Sequence, residues 1–405
     1  MKKNLLIIVL VLMGVIALSG CGSSDDDIYS PSNELAIATL HDFPFIEEAA
    51  RRFEAMHDGR YTVNITVYGD FTSYAQIINT ALMSGMGEDI INVSHIPWQR
   101  LADAGMLVDL NSMISFAPGE FYQNILDAFL YNGNRYAMPL SFHMETFTLG
   151  DGASTNLYPN RFTLEDLLDL ASIHPDAHLM ISPMGTYGTG LAYTFFNLNF
   201  AEFVDLANRR ANIDNENFIR LLEDVQSLND RLHAPFQNEN VLIIKDIFFS
   251  PTMSSNGMPD YSNFHILTNG RGEGMVHSFD VLAINANSNN KELAARFLQF
   301  VISEEMQTSP EIWQTSINKN AAMSNAAALY ESIRAGGFTP PDYFSLDTNI
   351  AVFNRLAGRL TMAPTSDPFI IEFVRNEMDR FFNGEVTAHE AARNLQARLT
   401  TYLNE

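Results

Sequence analysis

The chain has one cysteine, Cys21, among its 405 residues. A single thiol can build neither a disulfide framework nor a thiolate metal site. Short exported domains rely on disulfides, but a chain this long can bury enough apolar surface without them. Basic residues are scarce too: 24 Lys and Arg stand against 48 Asp and Glu, a net charge of −24. A field of that sign repels nucleic acid and anionic lipid headgroups. It leaves neutral and cationic solutes open, and it also serves plain solubility. Catalytic signatures are missing. There is no Gly-x-Ser-x-Gly elbow, and His389-Glu390 is only half of a His-Glu-x-x-His pair. His174 and His178 are split by Pro175 and read as loop histidines. Gly270-Arg271-Gly272-Glu273-Gly274 has the glycines of a phosphate loop. It precedes a strand, not a helix, so it lacks the dipole such loops use and reads as a mobile connection. The sequence calls for no metal and no cofactor. Paired carboxylates for glycan hydrolysis are a matter of geometry that sequence order does not carry.

What is present begins at the N-terminus. Lys2 and Lys3 precede an apolar run, Leu5–Leu18, broken only by Gly14. The run is shorter than the roughly 18–20 residues of a spanning helix, and a charged head with a short apolar body makes a secretory signal peptide. No later apolar run is long enough to span a bilayer. Leu18-Ser19-Gly20-Cys21 resembles the lipobox of bacterial lipoproteins. That resemblance implies cleavage before Cys21, lipid on its thiol, and anchorage at the outer face of the bacterial cytoplasmic membrane. An ordinary signal peptide with an incidental cysteine is the alternative. Residues 21–33 follow as a Ser-, Asp- and Asn-rich tether.

From Glu34 the chain alternates strand and helix. Leu35–Leu40 is a buried-type strand, and Phe45–His57 has apolar residues at helical spacing. Tyr61–Tyr68 alternates, Ser73–Met83 is helical, Asp89–Val93 is an apolar strand and Pro97–Gly105 a helix. Farther on, Thr163-Leu164-Glu165-Asp166 opens a helix, Ala201–Arg210 and Glu216–Leu232 look helical, and Val241–Phe249 is a continuous apolar run. Phe279–Ile284 reads as a strand, Lys291–Ile302 as an amphipathic helix and Ile317–Ala322 as a short crossover. Phe369–Phe382 and Ala388–Leu403 close the chain as a helical pair, the second behind a Thr387-x-x-Glu390 capping box. This is an α/β pattern, and its length suggests two domains.

Four stretches resemble the extracellular solute-binding proteins of ABC importers, in the group that includes maltodextrin-binding protein. They are Gly87-Glu88-Asp89-Ile90 with Ala104-Gly105-Met106-Leu107, Tyr136-Ala137-Met138-Pro139, Leu282–Ala294 with its Asn290-Lys291-Glu292, and Gly384–Ala391. The resemblance implies a two-lobed periplasmic-binding-protein-like α/β fold (type II), with the ligand cleft between lobes joined by hinge crossings. Carried over, lobe 1 is 34–139 plus 277–318, and lobe 2 is 140–276 plus 319–405. It implies a monomeric capture component, not an enzyme, that closes on a solute and delivers it to membrane permease subunits.

Clefts of open α/β sheets form at loops after strand ends. Those loops carry His41-Asp42, Asp70 with Tyr74, and His95 with Trp98. In the crossing segment, His143 aligns with the acid that the family turns into its cleft. Tyr187 and Phe248 stand where the family supplies aromatics. Rings cover the C–H face of a sugar, and Asp or His bind its hydroxyl rim. The expected ligand set is therefore Asp42, Asp70, Tyr74, His95, Trp98, His143, Tyr187 and Phe248, with a carbohydrate as solute. Asp42 and Asp70 can equally serve as turn or cap residues, and Trp98 and Phe248 as core. A polyamine or metal chelate in the same fold, or a secreted glycan hydrolase, are the other readings.

Overall fold

The computed structural model describes residues 32–149, 162–176, 188–232, 243–254, 264–337, 339 and 344–405. The strands that build the cleft are β1 (Glu34–Thr39), β2 (Thr62–Val67), β3 (Ile90–Asn92), β4 (Met138–Pro139), β5 (Ser141–Phe142), β6 (Met144–Leu149), β7 (Ile243–Ser250), β8 (Met253–Ser254), β9 (Phe264–His265), β10 (Val281–Ile284) and β11 (Thr315–Ser316).

The first sheet has the order β2-β1-β3-β10-β4. β1 runs parallel to β2 and β3, with Ile37 opposite Ile65 and Ile90. β10 is inserted antiparallel between β3 and β4. Helix Pro44–Met56 starts at a proline and buries Phe45, Ile46, Ala49, Ala50 and Phe53 against this sheet. The second sheet, β8-β7-β6-β9, is antiparallel, and β6 pairs with β7 from Met144/Phe248 to Leu149/Ile243. Helices Gly188–Leu198, Glu216–Leu228, Pro368–Phe382 and Ala388–Asn404 supply a second buried core with Phe195, Phe218, Ile370 and Leu399. Both expected capping boxes form, at Thr163/Asp166 and Thr387/Glu390.

The stretches carrying the family resemblance are tied to each other. Asp89, 8 % exposed, accepts hydrogen bonds from Ala36 N at 2.8 Å and Ser288 Oγ at 2.6 Å, with Asn290 Nδ2 at 3.4 Å. Asn285 Nδ2 donates to the carbonyls of Met86 and Glu88. A buried carboxylate must be met by donors, and here two of them, Ser288 and Asn290, come from some 200 residues away.

Three readings are corrected. Ala201–Arg210 is not a helix: a short helix, Phe200–Phe203, gives way to a hairpin, Val204–Asp205 against Arg210–Ala211. Asp205 turns the chain by accepting from Asn208 N, and Arg209 sits at φ 55°. The crossover at Ile317–Ala322 is shorter and earlier, because Asn318 caps a helix, Lys319–Ala335. Ala322, Phe344, Phe353 and Leu356 of this region pack into the first core. Gly270–Gly274 is not a loose connection. Asn269 closes it, its Oδ1 accepting from Arg271 N and Glu273 N.

Candidate functional site

The segments linking the two sheets are hydrogen-bonded to one another. β5 pairs antiparallel with β11, and His143 and His277 exchange backbone hydrogen bonds of 2.9 and 3.2 Å. Side chains alternate along extended backbone, so His143, His277 and Phe279 gather on one side. His143 and His277 stack with ring centroids 5.4 Å apart, and Phe279 lies 5.0 Å from His143. Trp313, just ahead of β11, stacks on Phe279 at 5.5 Å and 10°. Phe249, near the end of β7, meets both Trp313 at 5.7 Å and His143 at 5.9 Å. The Gln314 amide nitrogen lies 2.8 Å from His143 Nδ1 and fixes that ring. The wall is open at its outer end: Phe279 is 38 % and Trp313 49 % exposed. Exposed aromatic faces stacked in register are costly in water unless something covers them.

The first sheet brings polar groups to the neighbouring edge. Ser94, after β3, lies 2.5 Å from the Phe279 carbonyl and accepts from Val281 N. Asp280, fully buried beside Phe279, faces His41 with Oδ1 at 3.6 Å from Nε2. Among the described residues its Oδ2 has no hydrogen-bond partner. Burial pushes the Asp280 carboxyl up to about 7. Burial also lowers the His41 pKa, against the pull of Asp42, and takes His95 down to about 4 with help from the field of His41. Both imidazoles are thus neutral at pH 7, each with one donor and one acceptor nitrogen, which suits hydroxyl groups. A small pocket adjoins His277, lined by Glu145, Phe147, Leu191, Thr194, Leu267 and Met275.

The expected ligand residues fall in different places. His143 and His95 stand at this site, and Asp42 is exposed on the loop after β1. Asp70 is exposed and caps helix Phe71–Met83 by accepting from Ser73 N at 2.7 Å, and the Ser73 hydroxyl together with this amide lowers its pKa. Tyr74 is fully buried, and its hydroxyl donates to Asn92 O at 2.6 Å. Trp98 is 4 % exposed in the first core. Phe248 lies within β7, opposite Met144. Tyr187 and Cys21 lie outside the described residues. Sequence reasoning passed over Phe249, His277, Phe279 and Trp313. The available signal was rarity: Trp313 is one of two tryptophans and lies at the head of a crossing. Among the described residues no three His, Cys, Asp or Glu are grouped to hold a metal ion, and no helix is long and apolar enough to cross a membrane.

Residues 48–226 match the family model of the bacterial extracellular solute-binding proteins. Over that stretch, which is less than half of its length, the chain is similar to that family. Comparison with curated proteins finds no match. Solved structures resemble this chain over nearly its whole length. An ABC substrate-binding protein from Listeria monocytogenes, solved with cycloalternan, is 18% identical with a TM-score of 0.60, covering 92% of this chain and 99% of its own. The cyclic alpha-maltosyl-1,6-maltose binding protein from Arthrobacter globiformis is 15% identical, with a TM-score of 0.56 and coverages of 92% and 99%. The GacH receptor of Streptomyces glaucescens, solved unliganded and with acarbose, is 14% identical, with a TM-score of 0.55 and coverages of 92% and 98%. At such identity the likeness is one of fold, the two-lobed periplasmic-binding-protein-like architecture.

Proposed function

We propose that this solute-binding protein captures a carbohydrate for an ABC importer and is held at the membrane by lipid on Cys21. The observation that carries the reading is the half-exposed Phe279–Trp313 stack, backed by His143 at the junction of the crossing segments. An aromatic face of that kind matches the C–H face of a pyranose, while neutral His41 and His95 and the loop acid Asp42 match its hydroxyls. The names of the three similar structures, each with an oligosaccharide or a pseudo-sugar, point the same way. Capture and release need no bond chemistry. In this reading lobe 1 is 34–139 with 277–318 and lobe 2 is 140–276 with 319–405, the stretch after 319 also packing on the first core. The ligand set is Trp313, Phe279, Phe249, His143, His95, His41 and Asp42, to which the family resemblance adds Tyr187 and Phe248. Asp70, Tyr74 and Trp98 position the loops.

Thermal-shift measurements against mono- and oligosaccharides, polyamines and amino acids test this. A sugar at a hundred times its Kd adds about 2.7 kcal/mol to the folded state and raises Tm by several degrees. A shift with polyamines and none with any sugar overturns the solute class. Incorporation of labelled palmitate that survives Cys21→Ser overturns the anchor.

A further inference from the structure

The two cores meet at a second place, away from the aromatic wall. Ile96 and Arg100 belong to the segment that follows His95 at the carboxyl edge of the first sheet, where Trp98 and Leu101 root them in the first core. Opposite them stand Ser366 and Asp367, at the head of helix Pro368–Phe382, and Tyr402 near the chain end. Ile370, Leu399 and Leu403 root these in the second core. Ser366 Oγ donates to Ile96 O at 2.9 Å. The Arg100 guanidinium lies 4.5 Å from the centroid of the Tyr402 ring. The Tyr402 hydroxyl donates to Asp367, 2.8 Å from Oδ2 and 3.0 Å from Oδ1. Asp367, only 2 % exposed, also caps its helix by accepting from Phe369 N and Ile370 N.

We propose that Arg100, Ser366, Asp367 and Tyr402 form a latch that holds the two lobes together and so sets solute affinity from outside the solute site. Each half is mounted on its own core within a few residues, so the cores cannot turn apart without breaking it. The β3 loop faces the cleft by its position at the strand ends. A contact between that loop and the second lobe therefore belongs to the closed arrangement. The chemistry suits a reversible contact. A cation over an aromatic face and a single hydroxyl–carbonyl bond can both be exchanged for water at modest cost, whereas the buried Tyr402–Asp367 pair stays within one lobe and aims the ring. A protein that is only partly closed when empty binds more weakly by the fraction closed. Loss of one cation–π contact of this kind corresponds to about threefold to tenfold in that fraction. These are positioning residues: none of them is placed at the aromatic wall.

The inference rests on the solute-capture reading, so its test has an arm that needs no solute. Spin labels go on Met83→Cys, in the first lobe and 74 % exposed, and on exposed Asn383→Cys in the second, in the full chain carrying Cys21→Ser. In the empty protein, Arg100→Ala and Ser366→Ala shift the inter-label distances to longer values, and Arg100→Lys gives an intermediate distribution. Titration with maltotetraose then shows Kd raised about fivefold for Arg100→Ala, with Tm of the empty protein unmoved. Unchanged distances in both Arg100→Ala and Ser366→Ala overturn the latch. So does a tighter Kd, which would place the contact in the open form. If maltotetraose does not bind the parent protein, that choice of sugar fails, while the distances still decide the latch. Ser366→Ala removes the other contact between the lobes and serves if Arg100→Ala does not fold.

Discussion

Replacing Trp313 by alanine separates binding from stability. A tryptophan side chain offers on the order of 200 Å², and 49 % of Trp313 faces solvent. About 100 Å² of aromatic surface is therefore free for a ligand to cover. At about 25 cal/mol per Å² this gives a ceiling of about 2.5 kcal/mol, or roughly sixtyfold in Kd. Dehydrating the sugar and ordering its torsions take back part of that, so a loss of about tenfold is expected. The other half of the ring is already covered by Phe279 and Phe249, and losing those contacts costs the fold about 1 kcal/mol. Titration calorimetry with the best sugar from the thermal screen reads the first number, and urea unfolding of the empty protein reads the second. Trp313→Phe, which keeps a ring at the same place, recovers much of the affinity. If Trp313→Ala binds that sugar within twofold of the parent, the aromatic platform is not the binding face.

Two further outcomes follow from buried carboxyls. Asp280 keeps its proton to about pH 7 in the fold but releases it near 3.8 when unfolded. Between those values the fold binds more protons, so its stability falls as the pH rises. Asp280→Asn removes that loss: stability gains about 2–4 kcal/mol at pH 8 and little at pH 4, read as ΔTm against pH. Equal gains at both pH values would refute the buried acid. Asp89→Ala strands the Ser288 and Asn290 donors and the Ala36 amide, and unfolds at urea concentrations lower by the equivalent of about 3 kcal/mol. A midpoint unchanged from the parent's would show that the knot between distant motifs carries no stability.

The first sheet was legible because its strands and helices keep clean periods: Leu35, Ile37 and Ile90 are buried, as are Phe45, Ala49 and Phe53 at helical spacing. The motif around Asp89 could be read, but its job could not, since Ser288 and Asn290 are its partners only in space. Helix Lys319–Ala335 escaped notice because it buries only alanines, Ala321, Ala322 and Ala326, and shows little contrast between faces. Ring-bearing loops misled in the other direction. Tyr74 and Trp98 follow strand ends, as ligand residues do, yet tertiary packing draws both into the core. The aromatic wall draws Phe249, Phe279 and Trp313 from three separate segments, and no local pattern links them.

The insertion of β10 between β3 and β4 has a consequence for how the protein is made. Ile90 of β3 has to wait for Ile284 before the first sheet can close, and Met138 of β4 waits for Leu282. Pairings of such long sequence separation form slowly, because the intervening chain must first be confined. Under the proposed function the chain crosses the membrane before it folds. This topology keeps the first domain unfinished until more than two thirds of the polypeptide has emerged, so the strand order itself helps hold the precursor in a threadable state.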